Sequence, residues 1–108
     1  MSLAERERLV LAPGHLFRYH PAVQTLKDQI EQGLLGEIRY LSTVRTAFSR
    51  PRRDVGVLFS LGIHEAYLYP FLLGADYPES ASAASAGYID PAIDEVASIA
   101  FSFRDGVV

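Results

Sequence analysis

Residues 56–74 read Gly-Val-Leu-Phe-Ser-Leu-Gly-Ile-His-Glu-Ala-Tyr-Leu-Tyr-Pro-Phe-Leu-Leu-Gly and form the longest apolar stretch of the chain. The length of this stretch and its closing glycine, a common helix stop, predict a buried helix rather than a strand. Positions i, i+4, i+7 and i+8 on one side of that helix are Ser60, His64, Tyr67 and Leu68. This polar stripe makes His64 the first candidate for chemistry, with a core histidine that makes one hydrogen bond as the alternative.

Upstream of this stretch, the hydropathy pattern predicts one helix and two strands. The helix starts at Pro21, because a first turn tolerates the missing amide hydrogen of proline, and it ends at Gly33. Residues 9–12 predict a brief strand, and the alternation over residues 38–48 predicts a long one. The expected buried face of the long strand consists of Ile38, Tyr40, Val44 and Phe48.

Downstream of it, two more strands and a turn are predicted. Residues 77–88 are rich in small residues, and residues 95–103 alternate between apolar and small or polar side chains. The expected inner face of the second strand consists of Ala97, Ile99, Phe101 and Phe103. The Asp105-Gly106 pair is a strong hairpin signal. The returning strand is too short to cover the sheet edge, which predicts self-association through the sheet.

Two loops carry groups that are suited to ligands. Residues 15–20 mix imidazole, aromatic and basic side chains. Within this loop, Arg18 could donate to an anionic or polyhydroxy ligand, and Tyr19 could offer a stacking face. In the alternative, the aromatic side chains cover the core and Arg18 points to water. The arginine-rich loop at residues 49–55 lies just before the central helix and is expected to be solvated.

Composition excludes several classes of function. The chain has 108 residues, 49% of them apolar, which suffices for a single core. Its 13 acidic and 10 basic residues give a net charge of -3 with no broad basic surface, so no nucleic-acid partner is expected. Cysteine is absent, which excludes disulfides and thiolate chemistry and fits a reducing cytoplasm. The sequence has no apolar signal-peptide core and no uninterrupted apolar segment long enough to span a membrane, so we expect a soluble protein.

Two other kinds of site fit the spacing poorly. A metal could draw on His15, His20, His64 and Asp54. No two of these residues have the three- or four-residue helical spacing that closes around zinc, so no metal ligand is assigned. A nucleophilic serine at position 60 lacks the sharp Gly-x-Ser-x-Gly turn that would expose it.

Three segments occur in a fixed order: residues 14–23 (Gly-His-Leu-Phe-Arg-Tyr-His-Pro-Ala-Val), residues 33–38 (Gly-Leu-Leu-Gly-Glu-Ile) and residues 61–64 (Leu-Gly-Ile-His), with Gly74 ten residues on. Together they resemble the glucose-fructose oxidoreductase, inositol dehydrogenase and rhizopine-catabolism (Gfo/Idh/MocA) family, over nearly all of the chain. The resemblance implies an α+β fold, a two-layer, mostly antiparallel open sheet with helices on one face. It also implies that the chain is a truncated C-terminal domain of a Rossmann-containing oxidoreductase.

The resemblance further implies a division of labour within a longer protein. Residues 1–13 would be a leader and the end of a nucleotide-binding domain, which holds NAD or NADP outside this chain. Residues 14–108 would be a partial substrate-binding and oligomerisation domain for a sugar, cyclitol or related polyhydroxy compound. His64 matches the catalytic histidine of the family. The candidate substrate-binding residues around it are Arg18, Tyr19, Ser60 and Tyr67.

The chain also departs from the family pattern. Ser60 stands where the family usually has an aspartate, and Tyr67 where it often has one. The Glu-Lys-Pro motif and the glycine-rich dinucleotide turn are absent. A serine hydroxyl could fix the tautomer of His64 but brings no charge. Two functions therefore stay open: the substrate-binding part of an NAD(P)-dependent oxidoreductase, inactive without its Rossmann domain, or a non-catalytic dimerisation or ligand-binding module on the same scaffold.

Overall fold

A computed structural model describes residues 2–48 and 52–108 of the chain. The helices are α1 (Ser2–Arg6), α2 (Pro21–Glu31) and α3 (Ile63–Leu73), and a π-helical segment (Leu58–Gly62) leads into α3. The strands are β1 (Ser80–Ala86) and β2 (Val96–Ser102), and 3-10 turns cover Leu16–Tyr19 and Arg104–Gly106. Part of the predicted arginine-rich loop, residues 49–51, lies outside the described residues.

Helix α2 has the bounds that its terminal residues predict. Pro21 occupies the first turn, and the His20 side chain caps the helix, because its Nδ1 accepts a hydrogen bond of 3.2 Å from the amide of Ala22. At the other end, Gly33 adopts a φ of 70°, a left-handed conformation that glycine reaches at little cost. The predicted helix from Pro21 to Gly33 is therefore confirmed.

Helix α3 ends where its closing glycine predicts, but its start is irregular. Gly74 adopts a φ of 68° and terminates the helix. At the start, the carboxylate of Asp94 accepts a hydrogen bond of 2.9 Å from the amide of Leu58, which satisfies an otherwise unpaired helix donor. The π-helical turns then bring Gly62 so close to β2 that an added Cβ would lie 2.6 Å from Cδ1 of Ile99.

The two strands form an antiparallel pair with a register from Ser80 opposite Ser102 to Ala86 opposite Val96. Along β2, the predicted inner residues are less exposed than their neighbours, which confirms the predicted strand and its inner face. The buried apolar side chains of the described residues include Leu68, Tyr69, Leu72 and Phe103. Helices packed with an antiparallel sheet confirm the predicted α+β fold class.

Two predicted strands are wrong. Residues 9–12 are irregular and exposed, and residues 38–48 run without assigned strand structure. Of the predicted inner face of the second segment, only Ile38 is half-buried, since Tyr40, Val44 and Phe48 are 69%, 90% and 113% exposed. On the opposite face, Leu41 and Arg45 are half-buried, and the side chains of Thr43 and Arg45 form hydrogen bonds with α3. Pairing of polar groups with the helix has outweighed apolar alternation.

The chain does reverse direction after β2, as Asp105-Gly106 predicts. The amide of Phe103 donates to the carbonyl of Val107 at 2.8 Å, and Gly106 adopts a φ of 77°. The carbonyl of Val108 then accepts a hydrogen bond of 2.9 Å from the amide of Leu41. Beyond this contact, an open cavity of about 1070 Å³ separates residues 41–47 from β2. We call it the interstrand cavity.

Candidate functional site

The candidate site is centred on His64, which lies in the first turn of α3 and is half-buried. Its Nδ1 lies 2.9 Å from the hydroxyl oxygen of Tyr67, one turn further along the helix. The imidazole also meets the ring of Phe17 edge-on, with centroids 4.7 Å apart and an angle of 89° between the planes. One hydrogen bond and one aromatic contact therefore fix the orientation of the imidazole.

Tyr67 is held from two directions. Its ring stacks on that of His15, with centroids 4.1 Å apart and an angle of 12° between the planes. Its hydroxyl oxygen accepts a hydrogen bond of 3.4 Å from the amide of Phe17. Tyr67 thus joins the loop before α2 to the helix that carries His64, and its hydroxyl lies between a backbone donor and the imidazole.

An ion pair lies directly behind this cluster. The Arg45 Nη2 and Nε atoms lie 2.8 Å and 3.1 Å from the same oxygen of Glu65, and the Glu65 side chain is only 10% exposed. The Arg45 guanidinium also stacks over Phe17, with its carbon 4.6 Å from the ring centroid. Phe17 therefore contacts both the guanidinium and the imidazole.

The surroundings favour the neutral imidazole. Burial, then the positive charge of Arg45, lower the pKa of His64 below its ordinary value of 6.5, against an opposite influence from Glu65. The site therefore holds His64 uncharged near neutral pH. A neutral imidazole has one nitrogen that donates a hydrogen bond and one that accepts, so it can accept a proton from a bound hydroxyl, and the imidazolium formed in this way can return it.

The predicted substrate-binding residues are only partly brought together. Tyr67 contacts His64, whereas Arg18 lies over the ring of Phe71, with its guanidinium carbon 4.7 Å from the centroid. Tyr19 is 76% exposed and does not cover the core, unlike Phe17, which packs on it. Phe17 therefore agrees with the core-covering alternative and Tyr19 does not, and ligand binding by Arg18 and Tyr19 stays a prediction.

Ser60 lines the interstrand cavity, whereas His64 is not among the residues that line it. It belongs to the π-helical segment, in which five-residue rather than four-residue hydrogen bonding changes which side chains share a face. The predicted Ser60–His64 stripe assumed a regular α-helix. In the described structure, the hydroxyl that meets Nδ1 of His64 is that of Tyr67.

Sequence reasoning did not assign a site role to His15, Phe17, Arg45 or Glu65. One signal was available, because a lone carboxylate in a long apolar helix requires a partner. Arg45 is the cation on the neighbouring extended segment that meets this need. The contacts of His15 and Phe17 had no local signal, since Phe17 and Tyr67 are 50 positions apart in sequence.

Two other features are absent from the described residues. Residues 2–48 and 52–108 contain no group of three or more histidine or carboxylate side chains placed to hold a metal ion. None of the helices in the same ranges has the length and apolar character that a membrane span requires.

Residues 23–108 match the GFO/IDH/MocA C-terminal domain, and the chain belongs to that family. It is 40% identical over 77 residues to the UDP-N-acetylglucosamine 3-dehydrogenase of Acidithiobacillus ferrooxidans, a match that covers 70% of this chain and 23% of that protein.

A second relative is the dTDP-3,4-didehydro-2,6-dideoxy-alpha-D-glucose 3-reductase of Streptomyces violaceoruber, 31% identical over 84 residues (70% of this chain, 25% of the relative). The enzyme of the same name from Actinomadura kijaniata is 26% identical over 83 residues (69% of this chain, 25% of the relative). These relatives are sugar-modifying oxidoreductases, and the chain spans about a quarter of their length.

Proposed function

We propose that this chain is the substrate-binding part of a cytoplasmic NAD(P)-dependent oxidoreductase that acts on a sugar, cyclitol or related polyhydroxy compound. Membership in the GFO/IDH/MocA family and the sugar-modifying relatives support this class of activity. The observation that carries the proposal is the oriented, uncharged imidazole of His64. Such a group suits proton exchange with a substrate oxygen at neutral pH.

The described residues do not fit a dinucleotide. Their sheet is a single antiparallel pair, whereas the dinucleotide site of a Rossmann fold needs parallel strands and a glycine-rich turn at a helix N-terminus. A nicotinamide held by a separate domain would exchange the hydride with the substrate. We accordingly propose that this chain binds neither NADH nor NADPH and is inactive alone.

His64 would serve as the catalytic residue for the proton. Oxidation of a secondary alcohol requires the hydroxyl proton to leave as the carbonyl forms, and His64 would accept it. In the reverse direction the imidazolium form of the same residue would deliver the proton and return to the neutral form. Phe17 and Tyr67 orient the imidazole, and Arg45 helps to keep it uncharged before the reaction.

The names of the relatives suggest a narrower substrate, a hexose that is linked to a nucleoside diphosphate and reacts at carbon 3. Two exposed side chains in the turn that also carries Phe17 suit the remainder of such a molecule. Arg18 would donate to the diphosphate, and Tyr19 would stack on the base. Both belong to the turn that precedes α2, next to the residues that hold Tyr67.

The second candidate function is a non-catalytic dimerisation or ligand-binding module. The exposed apolar side chains of Tyr40, Val44 and Phe48 favour it, because they offer a surface that a second copy could cover. The uncharged residues Ser60 and Tyr67, at positions where aspartates are common in the family, also fit a scaffold without chemistry.

Replacement of His64 in the full-length protein separates the two functions. We expect His64→Asn to lower kcat by about 10²–10⁴-fold, the range for a lost general acid or base, with cofactor affinity nearly unchanged. His20→Asn is the matched control, because His20 caps α2 and asparagine is a good helix cap. Steady-state kinetics with a nucleotide-linked hexose would measure both variants. If the kcat of His64→Asn were close to that of the control, His64 would have a structural role and no role in proton transfer.

A further inference from the structure

The hydroxyl of Tyr67 lies between two nitrogen atoms, and only one of them has a fixed role. We propose that Tyr67, aligned by the amide of Phe17, is a positioning residue that holds neutral His64 in the tautomer with its proton on Nε2. The imidazole then presents an N–H group, not a lone pair, to a ligand. The ligand's identity rests on the proposed function, whereas the tautomer does not.

The direction of these hydrogen bonds follows from what each atom can do. The backbone amide of Phe17 can only donate, so its contact of 3.4 Å makes the Tyr67 oxygen an acceptor there. The hydroxyl retains one proton, and Nδ1 of His64 lies 2.9 Å away. If the hydroxyl donates to Nδ1, its one proton is used in a hydrogen bond, and Nδ1 accepts that bond through its lone pair. Nδ1 is then unprotonated. The proton of the neutral imidazole must then lie on Nε2.

The opposite arrangement is less favourable. If Nδ1 carried the proton, the Tyr67 oxygen would accept from two donors, and its own proton would have to find water from a half-buried position. The stack of Tyr67 on His15, with centroids 4.1 Å apart, restricts the ring and therefore the position of the hydroxyl. The edge contact with Phe17 restricts the imidazole in turn. The ring of His15 therefore holds Tyr67 in place, and the ring of Phe17 holds His64 in place.

The tautomer selects a class of ligand oxygen. A carbonyl oxygen can only accept hydrogen bonds, so an N–H group at Nε2 would recognise the keto group of an oxidised sugar directly. A sugar hydroxyl that must lose its proton needs a lone pair on Nε2, and Tyr67 opposes that tautomer. We infer that the resting site is arranged for the keto form of its substrate, in keeping with the keto sugars named for two of the relatives.

Nitrogen-15 NMR of the imidazole tests the tautomer without any substrate. In the 15N-labelled chain, at a pH above the pKa of His64, long-range 1H–15N spectra place protonated and unprotonated ring nitrogens in separate chemical-shift ranges. We expect His64 to show an unprotonated Nδ1 and a protonated Nε2. Tyr67→Phe keeps the stacking ring but removes the hydroxyl, and should move both nitrogens towards averaged values. Tyr77→Phe, at a side chain that is 78% exposed, is the matched control and should change neither.

A protonated Nδ1 in the unmodified chain would overturn the proposal, even if the Tyr67→Phe variant failed to fold. An unchanged His64 spectrum in a folded Tyr67→Phe variant would overturn it as well. These outcomes are independent of the kinetic test, because the spectra are recorded without substrate and report the tautomer whether or not His64 takes part in catalysis. In the full-length protein, we further expect Tyr67→Phe to raise KM for the keto substrate several-fold while kcat changes less.

Discussion

The strongest prediction for stability concerns the ion pair between Arg45 and Glu65. Glu65→Gln keeps the shape of the side chain and an oxygen that can accept from Arg45, and removes only the charge. The Glu65 side chain is 10% exposed and that of Arg45 is 27% exposed, so the guanidinium would lose its counter-ion in a poorly solvated place. Removal of one partner from a buried pair typically costs about 3–5 kcal/mol.

The expected cost here is lower, because Arg45 keeps some solvent, a neutral acceptor and its contact with the Phe17 ring. We expect the free energy of unfolding to fall by about 2 kcal/mol, which in a domain of this size lowers Tm by about 10 °C. Urea titration followed by circular dichroism would measure the free energy, and a thermal scan would measure Tm.

Glu37→Gln is the matched control for this change. Its partner is Arg39, and the two side chains are 70% and 77% exposed, so the loss should be at most about 0.5 kcal/mol. Arg45→Met should cost at least as much as Glu65→Gln, because it leaves the more buried of the two charges without a partner. If Glu65→Gln and Glu37→Gln had equal unfolding free energies, the reasoning about burial would be refuted.

Two other predictions address the pH dependence of stability and the association state. Because the pKa of His64 is lowered from 6.5 in the folded chain, the unfolded chain binds this proton more tightly. The free energy of unfolding should therefore decrease as pH falls from about 6.5 towards the folded-state pKa. In a plot of urea midpoint against pH, the His64→Asn variant should show a flatter slope over this range. An unchanged slope in that variant would contradict the lowered pKa. The exposed side chains of Tyr40, Val44 and Phe48 predict a dimer or tetramer by analytical sedimentation, and a stable monomer at high concentration would contradict it.

Much of the fold could be predicted from local sequence because local groups decide it. Pro21 and Gly33 bracket α2, and Gly74 closes α3, through backbone preferences that hold in almost any context. The predicted alternation of inner and outer side chains along β2 is likewise observed, since one side of that strand packs on the core. These elements needed no knowledge of distant partners.

The predictions are wrong where contacts with residues distant in sequence determine the local structure. The orientation of residues 43–45 is set by a hydrogen bond between the hydroxyls of Thr43 and Tyr69 and by one from Arg45 to Glu65, which apolar periodicity does not reveal. The π-helical turns around Ser60 accompany the Asp94 contact and the close approach of Gly62 to β2. A regular helix was therefore the natural prediction and was wrong for Ser60.

The candidate site shows the same division. His64 and Tyr67 could be paired from sequence because they are three positions apart on one helix. The contribution of Phe17 could not, since both its ring and its amide act on residues that the fold brings in from about 50 positions away.

The sequence separations within this site have a kinetic consequence. The contacts of this region close loops of different lengths. The Phe17–Tyr67 hydrogen bond closes a loop of 50 positions, and the Arg45–Glu65 pair closes a loop of 20. The loop between β1 and β2 is the shortest of the three, since it consists of residues 87–95. By the logarithmic dependence of closure entropy on loop length, the first contact costs about 0.8 kcal/mol more to close than the second. The strand pair should therefore form early and the segment at residues 15–17 should dock last. The same ordering makes that segment the first to detach in local unfolding, so the imidazole would lose its orientation well before the sheet or α3 melts.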